Sequence, residues 1–293
     1  MNPDQLNEAV RCYLAMREAV AKQKQPPADV ISVTLRDATD WDVTRVWGGL
    51  WPLFFFSNMK TNLAEPRVEA AKRGGWFKEY KPFVGANSTK TNPWHVVKVK
   101  GPKGGTTYEA RGDHAKAFCS RSGQYETMPY RTGARVVYRI SALSSEIGAI
   151  EECARKNKHT IVDELGSGKL NNPKEATTHA FGTLSPLMGK VTALHGLSDL
   201  GFPAVKPDIW MCRLASWCGW APDHSVEDLL KDRRGGFFVL RDVCLSLAEA
   251  AQGHLDTKDK DVNPLRTLDW YVANYGMIFK PSKCPCEGLL KRR

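Results

Sequence analysis

The amino-acid sequence predicts a mainly α-helical protein carrying one small β-rich insert. Three observations lead there. Apolar residues recur at helical spacing near both ends of the chain. Between 81 and 141 that spacing gives way to Gly, Pro, Thr and basic residues set among aromatics. The longest apolar run, Leu50-Trp51-Pro52-Leu53-Phe54-Phe55-Phe56, is far too short to span a bilayer, so no membrane partner is expected. A hydrophobic content of 42% belongs to a chain that folds, and 293 residues can bury one large or two modest cores.

Taken in order, Leu6, Val10, Tyr13, Leu14 and Val20 mark one face of a helix over 4–23, which Pro26-Pro27 ends. Residues 30–35 read as extended, and Asp37 to Asp40 offer N-caps for a second helix. From Trp41 to Asn58 large apolar side chains are dense enough to be core. A helix over 65–80 breaks at Gly74-Gly75. Residues 95–100 and 106–110 alternate about a Gly-rich turn as a β-hairpin, with a third extended segment near Arg135 to Ile140. A helix follows from Ser144, its N-cap, to Lys156, and Asn172-Pro173 opens the next. The intervening Gly166-Ser167-Gly168-Lys169 lacks the first glycine and the preceding strand of a phosphate loop. Beyond Trp220, Ser225 caps a short helix, a long one spans 237–252, and an amphipathic one spans 265–275. The expected organisation is an N-terminal helical segment over 1–80, a basic β-rich insert over 81–141, and a helical core over 142–293.

A net charge of +10 and a pI near 9.2 favour a polyanionic partner, because clustered Lys and Arg release condensed counterions when they meet nucleic acid. In the insert, Lys98, Lys100, Lys103, Arg111, Lys116, Arg121 and Arg131 stand among Trp94, Tyr108, Phe118, Tyr125 and Tyr130, which suits phosphate contact and base stacking as well as it suits a small sheet with a solvated basic face. The first residues show neither a basic nor an apolar signal region, so a cytoplasmic chain with reduced thiols is expected. Eight cysteines show no regular framework. Cys284-Pro285-Cys286 lacks CxxC geometry, a zinc site adding His254 is the weaker reading, and a plain thiol pair is preferred. No metal or cofactor is expected.

The centre of the chain is 182–220. A helix ending near Leu184 leads into a tight Ser185-Pro186-Leu187-Met188-Gly189 turn and a second helix from about Lys190. Gly201-Phe202-Pro203 forms a bend, and Val205-Lys206-Pro207 runs extended into Asp208. Backbone N–H groups at the start of the second helix favour an anion such as phosphate.

These residues resemble the helix-hairpin-helix DNA glycosylases, the endonuclease III and 8-oxoguanine glycosylase superfamily. Lys190 falls on the hairpin lysine, Gly201-Phe202-Pro203 on the Gly-aromatic-Pro bend, Asp208 on the catalytic aspartate and Arg213 on the arginine beyond it. Lys190 and Asp208 stand 208 − 190 = 18 positions apart, as in the endonuclease III branch. The match covers about 40 residues. It departs where Pro186-Leu187-Met188 replaces Gly-Val-Gly and where Lys206-Pro207 replaces an apolar pair. Some relatives hold an iron–sulfur cluster on four C-terminal cysteines, and two cysteines in this tail cannot supply four ligands.

The resemblance implies a two-lobed helical glycosylase fold and a substrate class, duplex DNA, bound by a monomer. Ser185, Met188, Gly189, Lys190, Val191, Lys206 and Arg213 would bind the strand, and Trp210, Trp270 and Tyr271 would line a base pocket. Asp208 would stabilise positive charge on the sugar as the N-glycosidic bond breaks, leaving an abasic site. Lys190 would be either a Schiff-base nucleophile or a phosphate ligand. Asn58, Met59 or Asn62 would fill the gap left by the extruded base. The target would be an oxidised or alkylated base in repair, or a modified cytosine of phage DNA in defence. The competing readings are a non-enzymatic DNA-binding protein that uses the hairpin as a clamp, and an RNA-binding protein that uses the insert.

Overall fold

The computed structural model describes residues 1–56, 61–101, 104–120, 130–257, 260–286 and 288. It is mainly helical. In chain order the helices are α1 (Pro3–Ala21), α2 (Ala28–Ile31), α3 (Leu35–Thr39), α4 (Val43–Leu50), α5 (Leu53–Phe56) and α6 (Thr61–Arg73). Strands β1 (Val96–Lys100) and β2 (Thr106–Ala110) precede α7 (Asp113–Cys119), α8 (Tyr130–Asn157), α9 (Ile161–Leu165), α10 (Pro173–Met188) and α11 (Lys190–Asp199). The chain continues through α12 (Ile209–Trp217), α13 (Val226–Leu230), α14 (Gly236–Gln252) and α15 (Pro264–Phe279). It divides into a terminal unit, 1–38 with 197–293, and a middle unit, 39–196. These divisions fall at 38/39 and 196/197 rather than at 80/81 and 141/142, and the small sheet lies inside the middle unit.

In the terminal unit α1 packs on α14 and α15, and α12 packs on α13 and α15. The start of α1 is fixed by a capping box, with Asn2 and Gln5 each satisfying the other's backbone N–H. Val10, Tyr13, Met16, Leu214, Trp220, Leu240, Leu268 and Val272 form its core. Gly276 lets α15 approach α12, because a Cβ there would lie 2.4 Å from the Cβ of Trp210. Arg17 and Asp261 form an ion pair of 2.5 Å that is largely shielded from water.

The middle unit is built on aromatic packing. Phe83 and Trp94 rings lie 4.5 Å apart, Phe77 touches both, and Phe118 packs on Phe77 at 5.2 Å. The indole N–H of Trp47 donates to the Phe77 carbonyl at 2.8 Å. Trp94 and Phe118, read from sequence as stacking platforms for bases, are buried core residues. β1 and β2 pair antiparallel with Val96 opposite Ala110 and Lys100 opposite Thr106.

The expected third strand at Arg135 to Ile140 is the interior of α8. Ala134, Val137, Ile140, Ser141, Ser144 and Ile147 are buried at spacings of three and four, a helical stripe that the β-branched run disguised. Ser144 is not an N-cap. Its hydroxyl donates to the Tyr80 carbonyl at 2.6 Å, as that of Ser141 does to Phe83 at 2.8 Å. Two hydroxyls thus anchor the 80–83 turn on the α8 face.

Gly201 closes α11 and rests on the backbone of Thr34 and Leu35. Its φ is +78°, and a Cβ there would lie 2.4 Å from the Thr34 carbonyl carbon. Both the conformation and the approach require glycine. Gly201→Ala is expected to lower the urea-unfolding free energy by about 3 kcal/mol; a loss under about 0.5 kcal/mol would contradict the close approach.

Candidate functional site

The hairpin belongs mainly to the middle unit, and its turn is tighter than the sequence suggests. α10 continues through Pro186 to Met188, so the expected five-residue turn is the last helical turn plus Gly189. Gly189 alone joins the helices. At φ +85° and ψ 147° it occupies a region open to glycine and closed to side chains. Its N–H donates to the Ser185 carbonyl at 2.9 Å, and its carbonyl accepts from Ala193 N–H at 2.9 Å, so one residue caps both helices.

The predicted strand contacts separate accordingly. Gly189 and Lys190 are exposed, and Ser185 and Val191 are half-buried. Met188 is 1% exposed, so its side chain belongs to the core and has no surface to offer a phosphate. The first amides of α11 have no carbonyl four residues back within the helix, and the exposed corner at Gly189 and Lys190 opens them to an anion.

The division between units falls inside α11, after Gly196, so Asp208 and its neighbours belong to the terminal unit. Asp208 is the N-cap of α12, half-buried, at φ −79° and ψ 168°. Its Oδ1 accepts from the N–H groups of Trp210 and Met211, both at 2.8 Å. Oδ2 has no hydrogen-bond partner among the described residues. The cap orients the carboxylate through one oxygen. Lys206, two residues earlier, is half-buried.

Arg213 stands one turn into α12 with its guanidinium carbon 5.0 Å from the Trp210 ring and 5.8 Å from the Trp217 ring. The residues proposed for a base pocket do different work. Tyr271 is buried in the core with the Arg17 guanidinium 5.2 Å above its ring. Trp270 sets its ring against that of Tyr271 at 5.1 Å, and the Lys24 ammonium sits 5.5 Å from it. Trp210 packs against Gly276 and carries Arg213. Asn58, Met59, Lys103, Arg121 and Tyr125 lie outside the described residues, as do the side chains of Asn62, Tyr130 and Arg131.

Sequence reading missed a charged cluster beside Asp208. Arg266 on α15 bonds Asp199 at 2.5 Å and Asp269 at 3.3 Å, and its Nε is buried without a hydrogen-bond partner. Burial raises the Asp269 carboxyl to about 7, with Asp208 and Asp199 adding to the rise and Arg266 and Lys206 opposing it. Burial also raises Asp199, against the pull of Arg266. Asp269 therefore holds or releases a proton near neutrality, close enough to feel the charge of Asp208. The Arg266/Asp269 pair at i,i+3 was visible in sequence, but its burial was not.

In the middle unit, Asp40, Asp42, Glu151, Glu152, Arg155 and His159 are among the residues lining a pocket of about 710 Å³. Its acidic wall is unsuited to a phosphate backbone. On β1, Lys98 and Lys100 are exposed, and the Lys98 ammonium lies 5.0 Å from the Tyr138 ring.

The Asp269 carboxyl sets a pH signature. Its folded-state value is raised, so its stabilising contribution is full below the unfolded carboxylate range and is lost as pH rises through about 7. Relative to Asp269→Asn, the wild-type unfolding free energy should fall by on the order of 2 kcal/mol between pH 5 and pH 8. Parallel pH profiles for the two proteins would show that Asp269 does not titrate there. No family model, curated protein or solved structure matches this chain.

Proposed function

We propose that the protein is a DNA glycosylase that extrudes a damaged or modified base and hydrolyses its N-glycosidic bond, leaving an abasic site. The observation that carries this reading is the Asp208 carboxylate, held by Oδ1 at the start of α12 while Oδ2 has no partner among the described residues. Its place 18 residues after Lys190 matches the resemblance noted above. The exposed corner at Gly189 and Lys190 and the net charge of +10 support a phosphate backbone as the ligand.

In this mechanism the target nucleotide is extruded from the duplex, and the hairpin amides and Lys190 bind backbone phosphate. As the bond from C1′ to the base breaks, positive charge builds on the sugar, and Asp208 stabilises it or orients the attacking water. Exposure of Lys190 favours a binding role. The substrate would be an oxidised or alkylated base, or a modified cytosine of phage DNA. The clamp reading, binding without catalysis, has support of its own, because capping α12 would by itself account for an aspartate at 208.

Asparagine caps a helix about as well as aspartate, so Asp208→Asn removes the charge and spares the fold. Abasic-site formation should fall at least about 100-fold, with duplex affinity within about twofold of wild type. Equal activity in the two proteins would remove Asp208 from the chemistry, and tight binding without base release by the wild type would establish the clamp. Borohydride reduction on abasic DNA should trap no adduct through Lys190; a covalent product would make that lysine a nucleophile.

A further inference from the structure

Four cysteines that are scattered in sequence come together in the terminal unit. Cys12 lies on α1, Cys218 caps the C-terminus of α12, and Cys284 and Cys286 follow α15. The sulfurs of Cys12, Cys218 and Cys286 lie within 4.8 Å of one another, and the Cys284 sulfur is 3.0 Å from that of Cys218. Cys12 and Cys286 are joined as a disulfide with Cα atoms 5.2 Å apart. This overturns the expectation of reduced thiols and the reading of Cys284 and Cys286 as a plain thiol pair. His254, the other ligand considered from sequence, is not in the group.

We propose that in its reduced form this quartet is a structural four-sulfur zinc site. A tetrahedral zinc thiolate shell has bonds of about 2.3 Å, which places its sulfurs about 3.8 Å apart. The Cys218–Cys284 pair at 3.0 Å and the Cys12, Cys218 and Cys286 trio within 4.8 Å lie on either side of that spacing, and reduction of the disulfide frees Cys12 and Cys286 to turn toward one ion. A multi-iron cluster inserts several atoms between its cysteine sulfurs and needs them farther apart. All-sulfur ligation in a half-buried to buried setting also selects zinc over oxygen-seeking cations. The balance is simple. A dithiol reductant converts the Cys12–Cys286 bond to two thiols and itself becomes a disulfide; the four thiols then lose their protons to solvent as four S–Zn bonds form. The ion would tie α1, the end of α12 and the chain's tail, three segments of a unit assembled from both ends of the sequence. This inference stands independently of the role given to Asp208.

The test is elemental analysis of the full-length protein purified with a dithiol reductant. About one zinc per chain is expected, and replacement by cobalt should give the visible bands of tetrahedral thiolate coordination. Cys218→Ser and Cys284→Ser should each lower zinc content at least about fivefold, while Cys153→Ser, an exposed thiol on α8, should leave it unchanged. Should either variant fail to fold, the wild type decides. Chelation of zinc should lower its melting temperature under reducing conditions, and added zinc should restore it. A reduced protein that takes up no zinc, one that carries iron with a visible charge-transfer band, or one equally stable with and without the ion would each overturn the site.

Discussion

The carboxylate of Asp208 is the point on which the proposed chemistry turns. One of its oxygens satisfies two backbone N–H groups that would otherwise be orphaned at the start of α12. That bond pair fixes where the helix begins and which way the other oxygen points. The approach to it is equally constrained. Gly201 turns the chain against Thr34, Phe202 is buried, and Val205 to Pro207 carry the backbone into the cap. A catalytic carboxylate gains from such anchoring because preorganised groups need not reorganise as charge develops.

Around that residue, charge is conserved by burial rather than by exposure. Asp199, Arg266 and Asp269 form a chain of ion pairs in which three carboxylates, counting Asp208, share the field of one guanidinium and of Lys206. Burial is the main reason that the Asp269 carboxyl keeps its proton to near neutrality, and the neighbouring carboxylates add to it against Arg266 and Lys206. The cluster gives the terminal unit a titrating group close to Asp208.

Local signals were legible in the sequence and long-range ones were not. The helix from Lys190, the Ser225 capping box, the stop at Gly74-Gly75 and the β-hairpin all follow from residues within a few positions of one another. Asp208 was singled out the same way, from a short pattern. The Ser185 to Met188 segment was misread because Pro186 looked like a turn residue, yet α10 accommodates it in its last turn, two residues from its end. The strand expected at 135–140 failed because Val136, Val137 and Ile140 suit a half-buried strand and a helix face alike, and packing decided. Cysteine spacing was blind to the quartet, since Cys12 and Cys286 are 274 positions apart. Likewise nothing near Asp269 in sequence signals that α15 buries it.

The account is tested most directly by mass spectrometry of small molecules released from duplex DNA of defined content, covering unmodified, oxidised, alkylated and modified-cytosine preparations. It predicts one free base, appearing together with an equal number of abasic sites in the same strand. Protein that binds every preparation and releases no base from any of them would contradict it.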